Sequence, residues 1–147
     1  MKKVVLSILM FVAVSGAFAQ LRKIPAEVTN ALKEKFPKAE DVSWKDNITS
    51  WTAKFNNEGV KTSAYYSSKG EWKETDKELK YDDLPEAIKD GFKKSKYNDW
   101  TPGSVLSIEK KDKGLQYRVY AEKSSLVQKA YLYFDEKGAL LREAPGI

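Results

Sequence analysis

Tyr131-Leu132-Tyr133-Phe134-Asp135-Glu136-Lys137-Gly138-Ala139-Leu140 is the stretch on which the fold turns. Four residues of high strand propensity run into a turn whose Gly138 stands where a tight hairpin needs positive φ. Tyr66-Ser67-Ser68-Lys69-Gly70-Glu71-Trp72 has the same layout earlier in the chain. Upstream of each hairpin the apolar residues alternate. Trp51, Ala53 and Phe55 are separated by Thr52 and Lys54, and Tyr117, Val119 and Ala121 by Arg118 and Tyr120. That period of two marks half-buried strands. Further upstream the period lengthens to 3.6. Ile24, Val28, Ala31, Leu32 and Phe36 form one helical stripe, and Leu84, Ile88, Gly91 and Phe92 form another. Each stripe opens with a proline, Pro25 or Pro85, which costs no hydrogen bond in a first helical turn. Pro37 ends the first helix, and the second is expected to run to about Tyr97-Asn98.

These patterns predict an α+β fold: a tandem repeat of one helix packed on a roughly four-stranded antiparallel sheet. The first unit spans residues 20–80 and the second residues 81–147, the two forming one compact body with their sheets either joined or set edge to edge. The charged stretch Thr75 to Asp83 is read as the boundary between them. Residues 1–19 read as a cleavable secretory signal. Lys2 and Lys3 precede an apolar run from Val4 to Val14, and Ala17-Phe18-Ala19 supplies the small residues of a cleavage site. The run is too short for a membrane span, which needs about 20 residues. A mature chain starting near Gln20 is expected to be periplasmic or secreted, with no span left after cleavage.

Composition narrows the chemistry. There is no cysteine and no histidine. Disulfides, thiolate metal sites and Ser-His or Cys-His nucleophiles are therefore excluded within one chain. The carboxylate pairs Glu40-Asp41 and Asp82-Asp83 sit at element boundaries, where a helix or turn already accounts for them. Asp135-x-Lys137-Gly138 carries too few oxygens for a calcium loop. No catalytic residue, metal or cofactor is expected. Loss of Lys2 and Lys3 leaves 24 basic against 21 acidic residues, a net +3. That is too little for a nucleic-acid-binding composition, and the lysine clusters read as solvated surface.

Leu84-Pro85, Tyr117-Arg118-Val119 and the Phe134-to-Leu140 hairpin, behind a signal sequence, resemble the PepSY-like proteins. These are similar to the β-lactamase-inhibitor-protein (BLIP-like) fold and typical of the periplasm of Bacteroidetes-type bacteria. The first half matches more loosely, with Trp51 and Ser67 where the pattern prefers Tyr and Asp. The resemblance implies the helix-plus-four-strand repeat and a non-enzymatic role in binding or inhibiting another protein. It does not bring a β-lactamase target with it, because that relative uses disulfides and this chain has no cysteine.

Strand alternation also names a candidate surface. If Trp51, Phe55, Tyr117, Val119, Ala64, Tyr66, Leu132 and Phe134 face the helices, then Lys54, Tyr65, Arg118, Tyr120, Tyr131 and Tyr133 share the opposite face. Tyr and Arg dominate binding hot spots because they bury large areas and still hydrogen-bond. The expected occupant is a protein partner. The alternative is a periplasmic carrier or sensor that stacks a small ligand, glycan or lipid on the same tyrosines. Trp44, Trp72 and Trp100 are assigned to packing.

Overall fold

The computed structural model describes residues 22–124 and 127–146. The signal-sequence expectation, residues 1–19, lies outside the described residues. The elements, in order, are α1 (Ala26–Lys35), β1 (Ala39–Asp46), β2 (Ser50–Asn57), β3 (Val60–Ser67), β4 (Trp72–Leu79), a 3₁₀ turn (Tyr81–Asp83), α2 (Glu86–Lys94), β5 (Thr101–Lys110), β6 (Gly114–Lys123), β7 (Gln128–Asp135) and β8 (Leu140–Pro145).

Both helices begin directly after their proline. The Pro25 carbonyl accepts the Val28 N–H at 3.1 Å, and the Pro85 carbonyl accepts the Ile88 N–H at 3.0 Å. Each helix is about three turns long and would be marginal alone. Packing holds them: Val28 and Leu32 of α1, and Ile88 and Phe92 of α2, are buried. Each such side chain contributes roughly 1.5–3 kcal/mol on burial. The second helix stops at Lys94, earlier than its sequence pattern suggests. The Ser95 hydroxyl donates to the Phe92 carbonyl at 2.7 Å and accepts the Tyr97 N–H at 3.1 Å, turning the chain away.

The strands form one eight-stranded antiparallel meander in the order β1 to β8. This overturns the expected tandem repeat of a helix on a four-stranded sheet. The stretch read as a boundary is largely strand β4, and it pairs with β5 from Glu74↔Lys110 to Leu79↔Val105. The physical reason lies in the backbone. Two four-stranded sheets would each expose a row of unpaired N–H and C=O groups at the β4 and β5 edges, and pairing satisfies both rows. That drive does not depend on side-chain type. On the helix side the seam carries Thr75, Lys77, Ser107 and Glu109, and only its end pair, Leu79 and Val105, is apolar.

One face of the sheet carries both helices, over two separate clusters. The first joins Val28, Leu32 and Phe36 to Trp51, Ala53, Phe55, Ala64 and Tyr66. The second joins Leu84, Ile88, Phe92 and Tyr97 to Val105, Tyr117, Val119, Ala121, Ala130, Leu132 and Phe134. Trp44 and Trp72 pack against the first and Trp100 against the second.

Candidate partner-binding face

Among the described residues, no helix covers the other face. Register decides what it presents, because paired residues of antiparallel neighbours point the same way. Thr52 pairs with Tyr65, and Tyr65 with Glu74. Asp76 pairs with Ile108, Glu78 with Leu106, and Leu106 with Arg118. Arg118 then pairs with Tyr133, Tyr120 with Tyr131, and Tyr133 with Arg142. Lys54 lies two residues from Thr52, on the same side of β2. The structure thus places Lys54, Tyr65, Arg118, Tyr120, Tyr131 and Tyr133 together on the helix-free face.

Within that face they fall into two groups. Lys54, Tyr65 and Arg118 line a cleft of about 650 Å³ with Asp41, Ser63, Asp76, Glu78 and Leu106. Residues from β1 and β6 bordering one cleft mean that the sheet curls around it; flat, those strands would stand about 24 Å apart. Curl has local sources. The ladder is bulged between Glu40 and Ser43, Tyr65 and Tyr66, Pro102 and Val105, and Tyr133 and Phe134. Such bulges bend and twist a strand.

The second group is aromatic. Tyr120 and Tyr131 pack with ring centroids 5.5 Å apart. The Arg118 guanidinium lies 4.7 Å from the centre of the Tyr131 ring, and that of Arg142 lies 3.5 Å from Tyr133. A Cβ at Gly103 would approach Tyr120 Cδ1 to 2.9 Å, so the glycine makes room for that ring. Arg118 joins the groups, lining the cleft and stacking on Tyr131.

Sequence reasoning missed Glu74, Asp76, Leu106, Ile108 and Arg142. The Tyr65 hydroxyl donates to Asp76 Oδ2 at 3.2 Å. Burial pushes the Tyr65 hydroxyl up to about 12, reinforced by the Asp76 charge. Burial also raises the Asp76 carboxyl to about 6, and the neighbouring Glu74 carboxylate adds to the shift. Asp76 Oδ1 is buried and meets no partner among the described residues when ionised. Glu74 itself is held by Lys110 at 3.1 Å. The available signal was the alternation of Glu74, Asp76 and Glu78. It was obscured because charged residues at every second position look like a solvated linker.

A continuous antiparallel sheet with two helices on one face and a Tyr-Arg surface on the other defines a scaffold that presents a strand-built face. The chain belongs to the family described as "Putative beta-lactamase-inhibitor-like, PepSY-like", which matches residues 49–142. A solved BLIP-like protein from Bacteroides fragilis is 26% identical, with a TM-score of 0.80 over 86% of this chain and 89% of that one. A protein from Bacteroides eggerthii described as "putative periplasmic" is 22% identical, with a TM-score of 0.78 over 84% and 90%. A DUF2874 family protein from Bacteroides uniformis is 23% identical, with a TM-score of 0.78 over 82% and 88%. No curated protein matches the chain. Among the described residues, no helix is long and apolar enough to cross a membrane.

Proposed function

We propose that this chain is an exported, non-enzymatic binding module that takes a protein partner on the helix-free face of its sheet. The observation that carries the reading is the convergence of Tyr120, Tyr131, Tyr133 and Arg118 on that face. Four residues of the types richest in binding energy stand there uncovered by any helix. The family's inhibitor-like description and the BLIP-like neighbour support a protein as the occupant. The periplasmic neighbour and the signal-like residues 1–19 support an exported location.

Capture from periplasmic extract tests this, with the mature chain as bait beside a Tyr120→Ala/Tyr133→Ala variant. Both tyrosines lie outside the two apolar clusters, so the variant is expected to fold and to melt within a few degrees of wild type. A protein recovered by wild type and lost by the folded variant is the expected result. Equal recovery by both would remove the face from consideration.

A cleft of about 550 Å³ favours the second reading, a small-ligand carrier. It is lined by Lys96, Tyr97, Trp100, Lys129 and Glu143. Tyr97 and Trp100 meet edge to face at 4.8 Å, and the Tyr97 hydroxyl donates to Glu143 at 2.5 Å. A carrier would gain melting temperature with a glycan or lipid headgroup. No shift across such a panel would leave the protein-binding reading alone.

A further inference from the structure

The proposed binding face also carries information about the chemistry of its partner, and the following rests on that reading. One rung of the sheet runs Arg118, Tyr133, Arg142 across β6, β7 and β8. Two cross-strand steps of about 5 Å place the arginine backbones about 10 Å apart on either side of one tyrosine. Arg118 lies against Tyr131 and Arg142 against Tyr133. Among the described residues, neither guanidinium has a carboxylate within ion-pair distance, although eight other ion pairs form.

The acids of the same face are engaged elsewhere. Lys110 holds Glu74 at 3.1 Å, and Lys61 reaches Glu78 at 3.9 Å. Asp76 accepts the Tyr65 hydroxyl. Asp135 Oδ1 accepts the N–H groups of Lys137 and Ala139, both at 2.9 Å, and so closes its own hairpin. Glu122 stands opposite Lys129 and accepts the Tyr120 hydroxyl at 3.4 Å. Asp41 Oδ2 accepts the Asn56 amide at 3.5 Å. Lys54, Arg118 and Arg142 form no ion pair among the described residues, although Arg118 borders the same cleft as Asp76, whose carboxylate feels its charge.

Stacking makes those cations better receptors. A guanidinium laid against a ring keeps its N–H groups at the edges, and its orientation is partly fixed before anything binds. The planar fork matches a carboxylate in bidentate geometry. Beside it the half-buried Leu106 continues the face under the same register, with Ile108 buried in the sheet two residues on. A tyrosine surface with Leu106 at its edge, bordered by two arginines that form no ion pair, complements a protein segment that carries acidic side chains.

We propose that the partner presents an acidic protein segment whose carboxylates are received by Arg118 and Arg142 on either side of Tyr133. Calorimetric titration of the mature chain with poly-L-glutamate tests this, with polyphosphate run in parallel. Arg118→Gln/Arg142→Gln is compared with Lys33→Gln/Lys94→Gln, which removes the same charge from exposed positions on the two helices. The face variant is expected to lose poly-L-glutamate affinity about tenfold, and the helix variant less than about twofold. Arg118→Lys/Arg142→Lys is expected to recover only part of the loss, because lysine restores charge without the fork.

Equal losses in the face and helix variants would mean non-specific attraction and overturn the proposal. A steeper dependence of polyphosphate binding on the two arginines would assign the site to phosphate anions and overturn it as well. Poly-L-glutamate binding indifferent to the arginines, beside partner capture still lost in the tyrosine variant, would reject the acidic segment while leaving the binding face intact.

Discussion

The two ends of the helix-bearing face solve one packing problem differently. Under α1, Ala53 faces Ala64, and Trp51 faces Tyr66. Under α2, Val119 faces Leu132, and Tyr117 faces Phe134. The first cluster therefore relies on large aromatics around two small residues, and it has a polar cost. Trp51 Nε1 and the Tyr66 hydroxyl are buried and meet no hydrogen-bond partner among the described residues. The second cluster is built mainly from aliphatic and phenyl groups with Tyr97 and Tyr117, and its Tyr97 hydroxyl is satisfied by Glu143. The helices differ to match. At Gly91 a Cβ would overlap the Gly138 carbonyl, so α2 lies backbone-close to the last hairpin. Above the first hairpin, a Cβ at Gly70 would come 2.6 Å from the Glu27 carbonyl, a looser approach. The α2 end is the tighter and less frustrated of the two.

The largest effect that would break this contrast comes from the glycines. Gly138 has φ 82° and Gly70 φ 81°, so alanine strains the backbone at either. Gly138→Ala adds an overlap with the Ala87 carbonyl and is expected to cost about 3 kcal/mol, against about 2 for Gly70→Ala. Urea unfolding measures both, and equal losses would mean that the two helices sit equally close.

Next is an exchange between the clusters. Tyr66 lies opposite Trp72 and Phe134 opposite Leu140, each just past a bulge. Phe134→Tyr would bury a hydroxyl among apolar groups, at an expected loss of about 2 kcal/mol. Tyr66→Phe removes an unpaired hydroxyl and is expected to gain up to about 1 kcal/mol. A loss in Tyr66→Phe would show that the hydroxyl finds a partner in solution.

The smallest stability effect lies on the helix-free face and has a pH signature. Asp76 titrates near 6 in the folded chain, above the ordinary 3.8. Its contribution is therefore fully present below about pH 4 and is lost as pH rises through 6. Asp76→Asn keeps an acceptor for Tyr65 and cannot ionise. Relative to wild type it should gain about 1 kcal/mol between pH 4 and pH 7.5, after allowance for solvent screening. Unfolding midpoints at the two pH values read this, and a constant difference would mean that Asp76 is well solvated.

What the sequence reveals of this fold depends on the kind of force involved. Side-chain periodicity fixed both helices and the inward set of Trp51, Phe55, Tyr117, Val119, Leu132 and Phe134, because apolar burial writes itself into residue type. The same alternation assigned Lys54, Tyr65, Arg118, Tyr120, Tyr131 and Tyr133 to one face. That the stretch read as a boundary, Thr75 to Asp83, is largely the strand that joins the sheets was not legible. The joining is made by backbone groups that every residue carries, and the charged residues that alternate along β4 look like a solvated linker. Arg142 was missed for a related reason, since its face follows from the shift in register between Tyr133 and Phe134. Asp76 escaped notice because a half-buried carboxylate and a solvated one have the same letter.

If the proposed function holds, the helix-free face, and not the helix-bearing one, meets the partner. A photo-crosslinking amino acid placed at Tyr133, and separately at exposed Glu34 on α1, tests it in living cells. One discrete protein adduct from position 133 and none from position 34 is the expected result. A discrete adduct from position 34, with none from position 133, would contradict it.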